Sequence, residues 1–210
     1  MYFQDVFNKK VILLHGIWTN GWVLYPLRQR LEKAGLDPVI FNYPSISRSF
    51  QENVNNLALF IEQIGVKKIL LVGHSYGGLI ACGLVNATAQ GLIDLDIEIE
   101  RCVFIGSPVQ GSCVARHLSN LFIVQILTGK SLPVLKKGCA ISSGMVQTAM
   151  VAGDLNLGLG MFFMSGPGDG MVALKDTMAP WLDKHFVVHA SHLGLLLSKK
   201  VAKICAEFLL

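Results

Sequence analysis

Residues 69–82 read ILLVGHSYGGLIAC, and this stretch decides how the rest of the chain is interpreted. The run Ile69–Val72 is continuously apolar, which is typical of a buried strand. Residues 73–77 have the pattern G-x-S-x-G, and the apolar residues after them can start a helix. A strand, a sharp turn and a helix with Ser75 at the apex are the context of a nucleophile elbow, in which the serine oxygen protrudes above the sheet. The alternative is a tight turn with a capping serine.

The composition predicts an extensive core. Of the 210 residues, 52% are apolar and only 15% are charged, and the mean hydropathy is +0.50. This length suits one domain over residues 1–210. No apolar stretch reaches the roughly 18 residues that a membrane span needs. We therefore expect buried strands, and the composition is also compatible with an apolar binding face and with peripheral contact with a membrane.

The charge pattern disfavours several classes of partner. The net charge is +4, and the Lys and Arg residues are scattered rather than arranged in a stripe, so we expect no nucleic-acid partner. The basic cluster Lys130, Lys136 and Lys137 is expected in a solvated loop. No His, Asp or Glu cluster has the spacing of metal ligands, so we expect no metal site.

The cysteines and the N-terminal residues bear on location. Five cysteines occur without paired or CxxC spacing, at positions 82, 102, 113, 139 and 205. An odd number in scattered apolar settings predicts buried thiols in a reducing compartment. The first residues lack a basic start, an apolar run and a cleavage site. We therefore expect a cytoplasmic protein, although a leader removed beforehand would leave the same pattern.

Strand and helix signals alternate along the chain. The strand signals are apolar without alternation, as expected when both faces of a sheet are covered. The alternation predicts an α/β fold with one doubly wound, mostly parallel sheet. We predict strands at Lys10–Leu14, Asp37–Phe41, Lys68–Val72, Arg101–Ile105, Val146–Ala152 and His185–His189, and helices at Trp22–Lys33, Asn53–Ile64, Leu79–Ala89 and Leu193–Leu210.

Residues 112–144, here called the cap segment, interrupt this rhythm because they are longer than a simple crossover needs. The spacing predicts a helix over Ser112–Leu127, with Val114, Leu118, Leu121 and Phe122 on one face, followed by a loop over Thr128–Pro133. The segment is either a short cap over the site or a crossover helix with its apolar face on the sheet.

A serine nucleophile needs donors for the developing oxyanion. One is the amide that follows the serine, on Tyr76. The second is expected on the loop after the first strand, where Gly16 lets the backbone turn and the amide of Ile17 can face the serine. We predict that His15 is bonded to the backbone and supports this loop.

The serine also needs a base and an acid, which follow it in the order Ser, Asp, His. His192, between the last strand and the terminal helix, is the preferred base, with His189 as its competitor. Asp169 lies in a glycine-rich loop, and Asp154 directly follows a predicted strand. Spacing alone does not separate these two acids. Asp176 and Asp183 are expected to be caps or surface charges.

The combination of motifs resembles the small lipase/esterase branch of the α/β-hydrolase superfamily. The motifs are His15-Gly16-Ile17, the G-x-S-x-G pentapeptide, Gly106-Ser107-Pro108-x-x-Gly111-Ser112, Asp169-Gly170-x-Val172 and His192-Leu193, and they extend over almost the whole chain. The resemblance implies Ser-Asp-His acyl transfer without a cofactor, and its D-G-x-V motif favours Asp169 over Asp154. The cap segment is shorter than the lids of larger lipases.

The expected activity is hydrolysis of a small-molecule or lipid carboxylic ester with an apolar acyl group. Trp18 is the preferred residue for an acyl pocket, and the other candidates are Trp22, Tyr76, Met161, Phe162 and Phe163. The segment Gly106-Ser107-Pro108 is expected to form the floor. An acyltransferase or a thioesterase would use the same three residues, and a non-catalytic binding protein on this scaffold is a further alternative.

Overall fold

The computed structural model describes residues 9–142, 144, 146–158, 163–164 and 166–210, without the side chains of residues 123 and 124. In this part of the chain, strands form a six-stranded sheet in the order β2-β1-β3-β4-β5-β6, and every neighbouring pair is parallel. The strands are β1 Lys9–Leu14, β2 Pro38–Phe41, β3 Lys68–His74, β4 Glu98–Ile105, β5 Gln147–Gly153 and β6 Lys184–Val188. The predicted parallel α/β sheet is confirmed, and the largest difference in a strand bound is at the start of β4.

Helices cover both faces of this sheet. Four of them are α1 Tyr25–Lys33, α2 Phe50–Ile64, α3 Tyr76–Ala89 and α8 Lys199–Leu209. Alternate strand residues such as Ile12 and Leu71 pack in one core with α2 and α3, whereas Leu13 and Val72 pack in a second core with α1 and α8. Because successive side chains of a strand point to opposite faces, two buried faces need continuously apolar strands.

Polar capping residues explain where two of the helices begin. Ser49 Oγ accepts from the Glu52 amide at 3.3 Å, and Glu52 Oε2 accepts from the Ser49 amide at 2.7 Å. This capping box starts α2 at Phe50, before the predicted Asn53. The predicted terminal helix is divided at Ser198, whose extended backbone separates α7 Gly194–Leu197 from α8 and whose hydroxyl caps α8.

The described part of the cap segment contains three short helices, so the predicted single helix over Ser112–Leu127 is wrong. The helices are α4 Cys113–Leu118, α5 Phe122–Thr128 and α6 Leu132–Lys137, with a 3₁₀ turn before α6. Leu121 has an extended backbone that ends the first helical stretch. The predicted loop over Thr128–Pro133 is also wrong in part, because Pro133 occupies the first turn of α6, where its missing N–H costs nothing.

Two of the four residues on the apolar face predicted for this segment are exposed. Leu121 is 50% exposed and Phe122 is 75% exposed, whereas Val114 and Leu118 are half-buried. Among the described helices, none is both long enough and apolar enough to cross a membrane.

Candidate active site

Ser75 lies in a strained turn between β3 and α3. Its backbone has φ 54° and ψ −121°, and Ser75 and Trp18 are the non-glycine residues with positive φ in the described chain. Such angles are costly for a residue with a side chain, and they cluster at functional sites. A Cβ on Gly77 would lie 2.5 Å from the carbonyl oxygens of His15 and Leu14. The turn therefore has the strand–turn–helix context that the pentapeptide predicts, and it closes only with glycine beside the serine.

The two candidate acids and the two candidate bases form two separate pairs. Asp169 Oδ2 lies 2.7 Å from His192 Nδ1, with side chains 1% and 12% exposed. Asp154 Oδ1 lies 2.8 Å from His189 Nδ1, with side chains 37% and 76% exposed. Only the first of these pairs is buried, and a buried carboxylate holds an imidazole more firmly than an exposed one because water does not compete.

The loop after β5 fixes the Asp169 carboxylate from several sides. Its Oδ1 accepts from the amides of Met171 at 2.9 Å and Val172 at 2.7 Å, and its own carbonyl accepts from the His192 amide at 2.8 Å. Burial opposes ionisation of this carboxyl. The nearby imidazole and the two amides outweigh burial and hold the pKa of Asp169 below its ordinary value. The carboxylate is therefore both ionised and oriented toward His192.

This buried pair lies beside the serine turn. A Cβ on Gly106, the residue after β4, would lie 3.0 Å from Asp169 Oδ2 and 3.3 Å from His192 Nδ1. The Ser75 amide donates to the carbonyl of Ile105 at 2.8 Å. The carboxyl ends of β3, β4 and β5 thus bring Ser75, Asp169 and His192 to one edge of the sheet. Ser75 Oγ has no hydrogen-bond partner among the described residues, so the contact with His192 is not made in this structure.

His74 links the serine turn to the loop that carries His192. Its ring lies 4.6 Å from the His192 ring, between centroids, and its Nε2 lies 3.1 Å from the His192 carbonyl oxygen. A carbonyl only accepts, so we assign the proton to Nε2. Burial and then the His192 imidazole lower the pKa of His74 to about 3, which keeps the ring neutral. No motif in the sequence assigns this residue a role, although its place directly before Ser75 is a signal.

The two amides expected to hold an oxyanion are unpaired in the described part of the chain. Neither Ile17 nor Tyr76 donates its backbone N–H to another described group. The loop that carries Ile17 is anchored through His15. His15 Nε2 accepts from the Tyr43 amide at 3.3 Å, and the His15 carbonyl accepts from the Tyr43 hydroxyl at 2.7 Å. Burial lowers the pKa of His15, so this histidine is a neutral, backbone-bonded support, as predicted.

The residues predicted to line an acyl pocket differ in their exposure to solvent. Trp18 is 50% exposed, and its Nε1 donates to the Leu127 carbonyl of α5 at 2.6 Å. Tyr76 is fully buried in the core, and Trp22 is 73% exposed. Met161 and Phe162 lie outside the described residues, whereas Phe163 is 44% exposed. Among the described residues of this set, Trp18 connects the loop that carries Ile17, here called the site loop, to the cap segment.

Other polar candidates make structural contacts. Asp176 accepts from the Cys113 amide at 2.7 Å, and Asp183 accepts from the Thr148 amide at 2.7 Å. Ser107 is buried behind the turn, where its hydroxyl donates to the Gly73 carbonyl at 3.3 Å. In the described ranges, no three His, Cys, Asp or Glu side chains are grouped so that they could hold a metal ion.

Comparison with solved structures gives the same fold. The mature form of the lipase BlEst2 from Bacillus licheniformis superposes with a TM-score of 0.78 over 95% of this chain and 91% of that chain, at 18% identity. The RedJ thioesterase of the prodiginine biosynthetic pathway in Streptomyces coelicolor superposes with a TM-score of 0.61 over 96% of this chain and 84% of that chain, at 10% identity. At these identities, the likeness concerns the fold alone.

Sequence comparison gives one curated relative and a family. The Carbendazim hydrolyzing esterase of Nocardioides sp. (strain SG-4G) is 28% identical over 97 residues, which cover 40% of this chain and 40% of that relative. The model of the alpha/beta hydrolase family matches residues 11–196, which is most of the chain. The motifs, the parallel sheet and this match agree, and the chain belongs to the alpha/beta hydrolase family.

Proposed function

We propose that this protein hydrolyses carboxylic esters with an apolar acyl group through an acyl-enzyme on Ser75. The observation that carries the proposal is the buried Asp169–His192 pair, at 2.7 Å, beside a serine in a strained strand-to-helix turn. A serine hydroxyl is a weak nucleophile until a base removes its proton, and an imidazole oriented by a carboxylate is suited to do so.

In the proposed first step, His192 Nε2 accepts the proton of Ser75 while the serine oxygen attacks the ester carbonyl carbon. Asp169 bonds Nδ1, which leaves Nε2 free to accept. The same imidazole then returns the proton to the leaving alcohol, and water repeats the sequence to release the acid. The Ser75–His192 contact must form when substrate binds, and such contacts are often long in free enzymes.

The negative oxygen of each tetrahedral intermediate would accept from the amides of Ile17 and Tyr76. Both amides are unpaired among the described residues, as an oxyanion site requires. Losing one donor of this kind typically costs about 10²–10³ in rate. The positive φ of Trp18, 60°, turns the chain immediately after Ile17, so the loop conformation supports this role.

His74 would act as a positioning residue for the base. Its Nε2–H donates to the His192 carbonyl, and its neutral ring lies against an imidazole that becomes positive during the reaction. A charged neighbour would oppose that positive charge. We expect His74→Leu to lower kcat with little change in KM, and His74→Gln, which keeps a donor, to restore part of it. Equal losses of kcat in the two variants, with the pH profile of kcat unchanged, would mean that His74 has only a packing role.

The surroundings support an apolar acyl group. Exposed apolar side chains lie on the site loop and on the cap segment, including Trp18, Phe122 and Ile126. The names of the relatives, which include a lipase and an esterase, agree with ester substrates. Thioester cleavage and acyl transfer would use the same three groups and differ in the leaving group or the acceptor.

A substrate panel tests this proposal. We expect turnover of aryl esters, with kcat/KM rising from acetyl to longer acyl chains, and a loss of at least about 10⁴-fold in Ser75→Ala. Ser107→Ala, which removes a buried hydroxyl behind the same turn, is the matched control and should keep most of the activity. A thioester panel run in parallel separates the two leaving groups. Turnover that persists in Ser75→Ala would refute the proposal.

A further inference from the structure

Two cysteines far apart in the sequence meet between α3 and residues 138–142, which follow α6 and are here called the exit leg. Cys82 is fully buried on α3, and Cys139 is partly exposed on the exit leg. Each thiol perturbs the pKa of the other. The Asn86 amide nitrogen lies 3.6 Å from the sulfur of Cys139 and 3.9 Å from that of Cys82. Both sulfurs therefore lie within contact distance of the same side-chain nitrogen.

The backbone around Cys139 holds this arrangement without a covalent bond. Asn86 Nδ2 donates to the Ala140 carbonyl at 2.7 Å, and Asn86 Oδ1 accepts from the Ser142 amide at 3.1 Å. The Cys139 amide donates to the Val109 carbonyl at 3.0 Å. The exit leg is thus fixed on both sides, which keeps the Cys139 sulfur against Cys82.

The two thiols differ in reactivity. Interaction with the Cys82 thiol is the largest influence on Cys139, and together with Asn86 and the charge of Lys137 it outweighs burial and lowers the pKa of Cys139. The same interaction and burial raise the pKa of Cys82. A thiolate is the nucleophilic form of cysteine, and Cys139 is also the more exposed of the two residues. Cys139 is therefore suited to attack first and Cys82 to resolve.

We propose that Cys82 and Cys139 are an oxidant-sensitive dithiol that a peroxide converts into a disulfide. The Cys139 thiolate attacks one peroxide oxygen, the O–O bond breaks, and a sulfenic acid and one water form once the departing hydroxide is protonated. The Cys82 sulfur then attacks the Cys139 sulfur, the S–O bond breaks, and the Cys82 proton leaves with the hydroxide as a second water. Each sulfur loses one electron and the peroxide gains two.

The bond would tether the cap segment to the helix that begins next to Ser75. Cross-linking distant residues restricts the unfolded chain and stabilises the folded one. It would also restrain movement of the exit leg relative to α3. The dithiol is independent of the proposed hydrolysis, because none of its atoms belongs to the Ser75 site.

Stoichiometric hydrogen peroxide, followed by alkylation of free thiols and peptide mapping, tests the proposal on the purified, reduced chain. We expect a Cys82–Cys139 linked peptide, a mass lower by two hydrogen atoms, reversal by dithiothreitol, and a rise in Tm of about 5–10 °C. Cys139→Ser and Cys82→Ser should each abolish the link. Cys139 is partly exposed, so Cys139→Ser is decisive if the Cys82 variant does not fold.

Cys102→Ser is the matched control, because Cys102 is a buried thiol whose pKa is raised by burial and then by Cys139. This variant should still form the link. A link to Cys102, a loss of the link in Cys102→Ser, or over-oxidation of Cys139 without any link would each overturn the proposal.

Discussion

The sharpest prediction compares Asp169→Asn with Asp154→Asn, since both carboxylates bond a histidine at 2.7–2.8 Å and only one is buried. In Asp169→Asn, the amides of Met171 and Val172 still require an acceptor where Oδ1 now lies. The side-chain oxygen must therefore stay there, and the NH₂ group must face His192 Nδ1. The imidazole then has to accept at Nδ1 and carry its proton on Nε2, where it cannot take a proton from Ser75.

The expected loss follows from that wrong tautomer. In serine hydrolases with an oriented imidazole, it amounts to about 10⁴ in kcat, or roughly 5 kcal/mol of transition-state stabilisation. Asp154→Asn alters an exposed pair whose net interaction is about 0–1 kcal/mol. We therefore expect it to change kcat/KM by less than about 5-fold.

The assay is kcat/KM for a short-chain aryl ester from pH 6 to 9. Thermal unfolding of each variant provides the control for folding. Equal losses in the two variants, or a larger loss in Asp154→Asn, would refute the assignment and move the acid to Asp154 and the base to His189.

Two further predictions concern the turn and its neighbour His74. Gly77→Ala places a Cβ about 2.5 Å from two carbonyl oxygens, so we expect a loss of about 1–3 kcal/mol in unfolding free energy and at least about 100-fold in activity. Gly144→Ala, whose added carbon would have no atom of the other described residues within 4 Å, should change neither. His74 stays neutral when folded, with its pKa lowered from 6.5 to about 3. The unfolded chain therefore binds the extra proton, and stability falls as the pH drops below about 6.5. Between pH 7 and 5, the free energy of unfolding measured with urea should fall by about 2 kcal/mol less in His74→Gln than in the unsubstituted chain. Equal falls in the two proteins would contradict a neutral, buried His74.

The strands and the serine turn could be predicted because they depend on local patterns. Continuous apolar runs such as Ile69–Val72 occur where both faces of a sheet are buried, and glycine on both sides of Ser75 marks a turn with no room for side chains. Parallel strands end at one edge, so residues that follow them, such as His192, were expected near the serine.

Other parts of the site depend on contacts that spacing does not encode. Asp154 and Asp169 both follow β5, and burial, which is a property of the folded loop, distinguishes them. The bond from Trp18 to Leu127 joins residues far apart in the sequence. The break between α4 and α5 lies at the extended backbone of Leu121. The apolar residues on both sides of this break still have the spacing of one continuous helix.

Labelling with a fluorophosphonate, which reacts with activated serines, shows whether Ser75 is a nucleophile. We expect one adduct per folded chain, located on Ser75 by peptide mapping, absent from Ser75→Ala and from denatured protein, and much slower to form in Asp169→Asn. A folded chain that forms no adduct on Ser75, or an adduct of equal rate in Ser75→Ala, would contradict this role of Ser75.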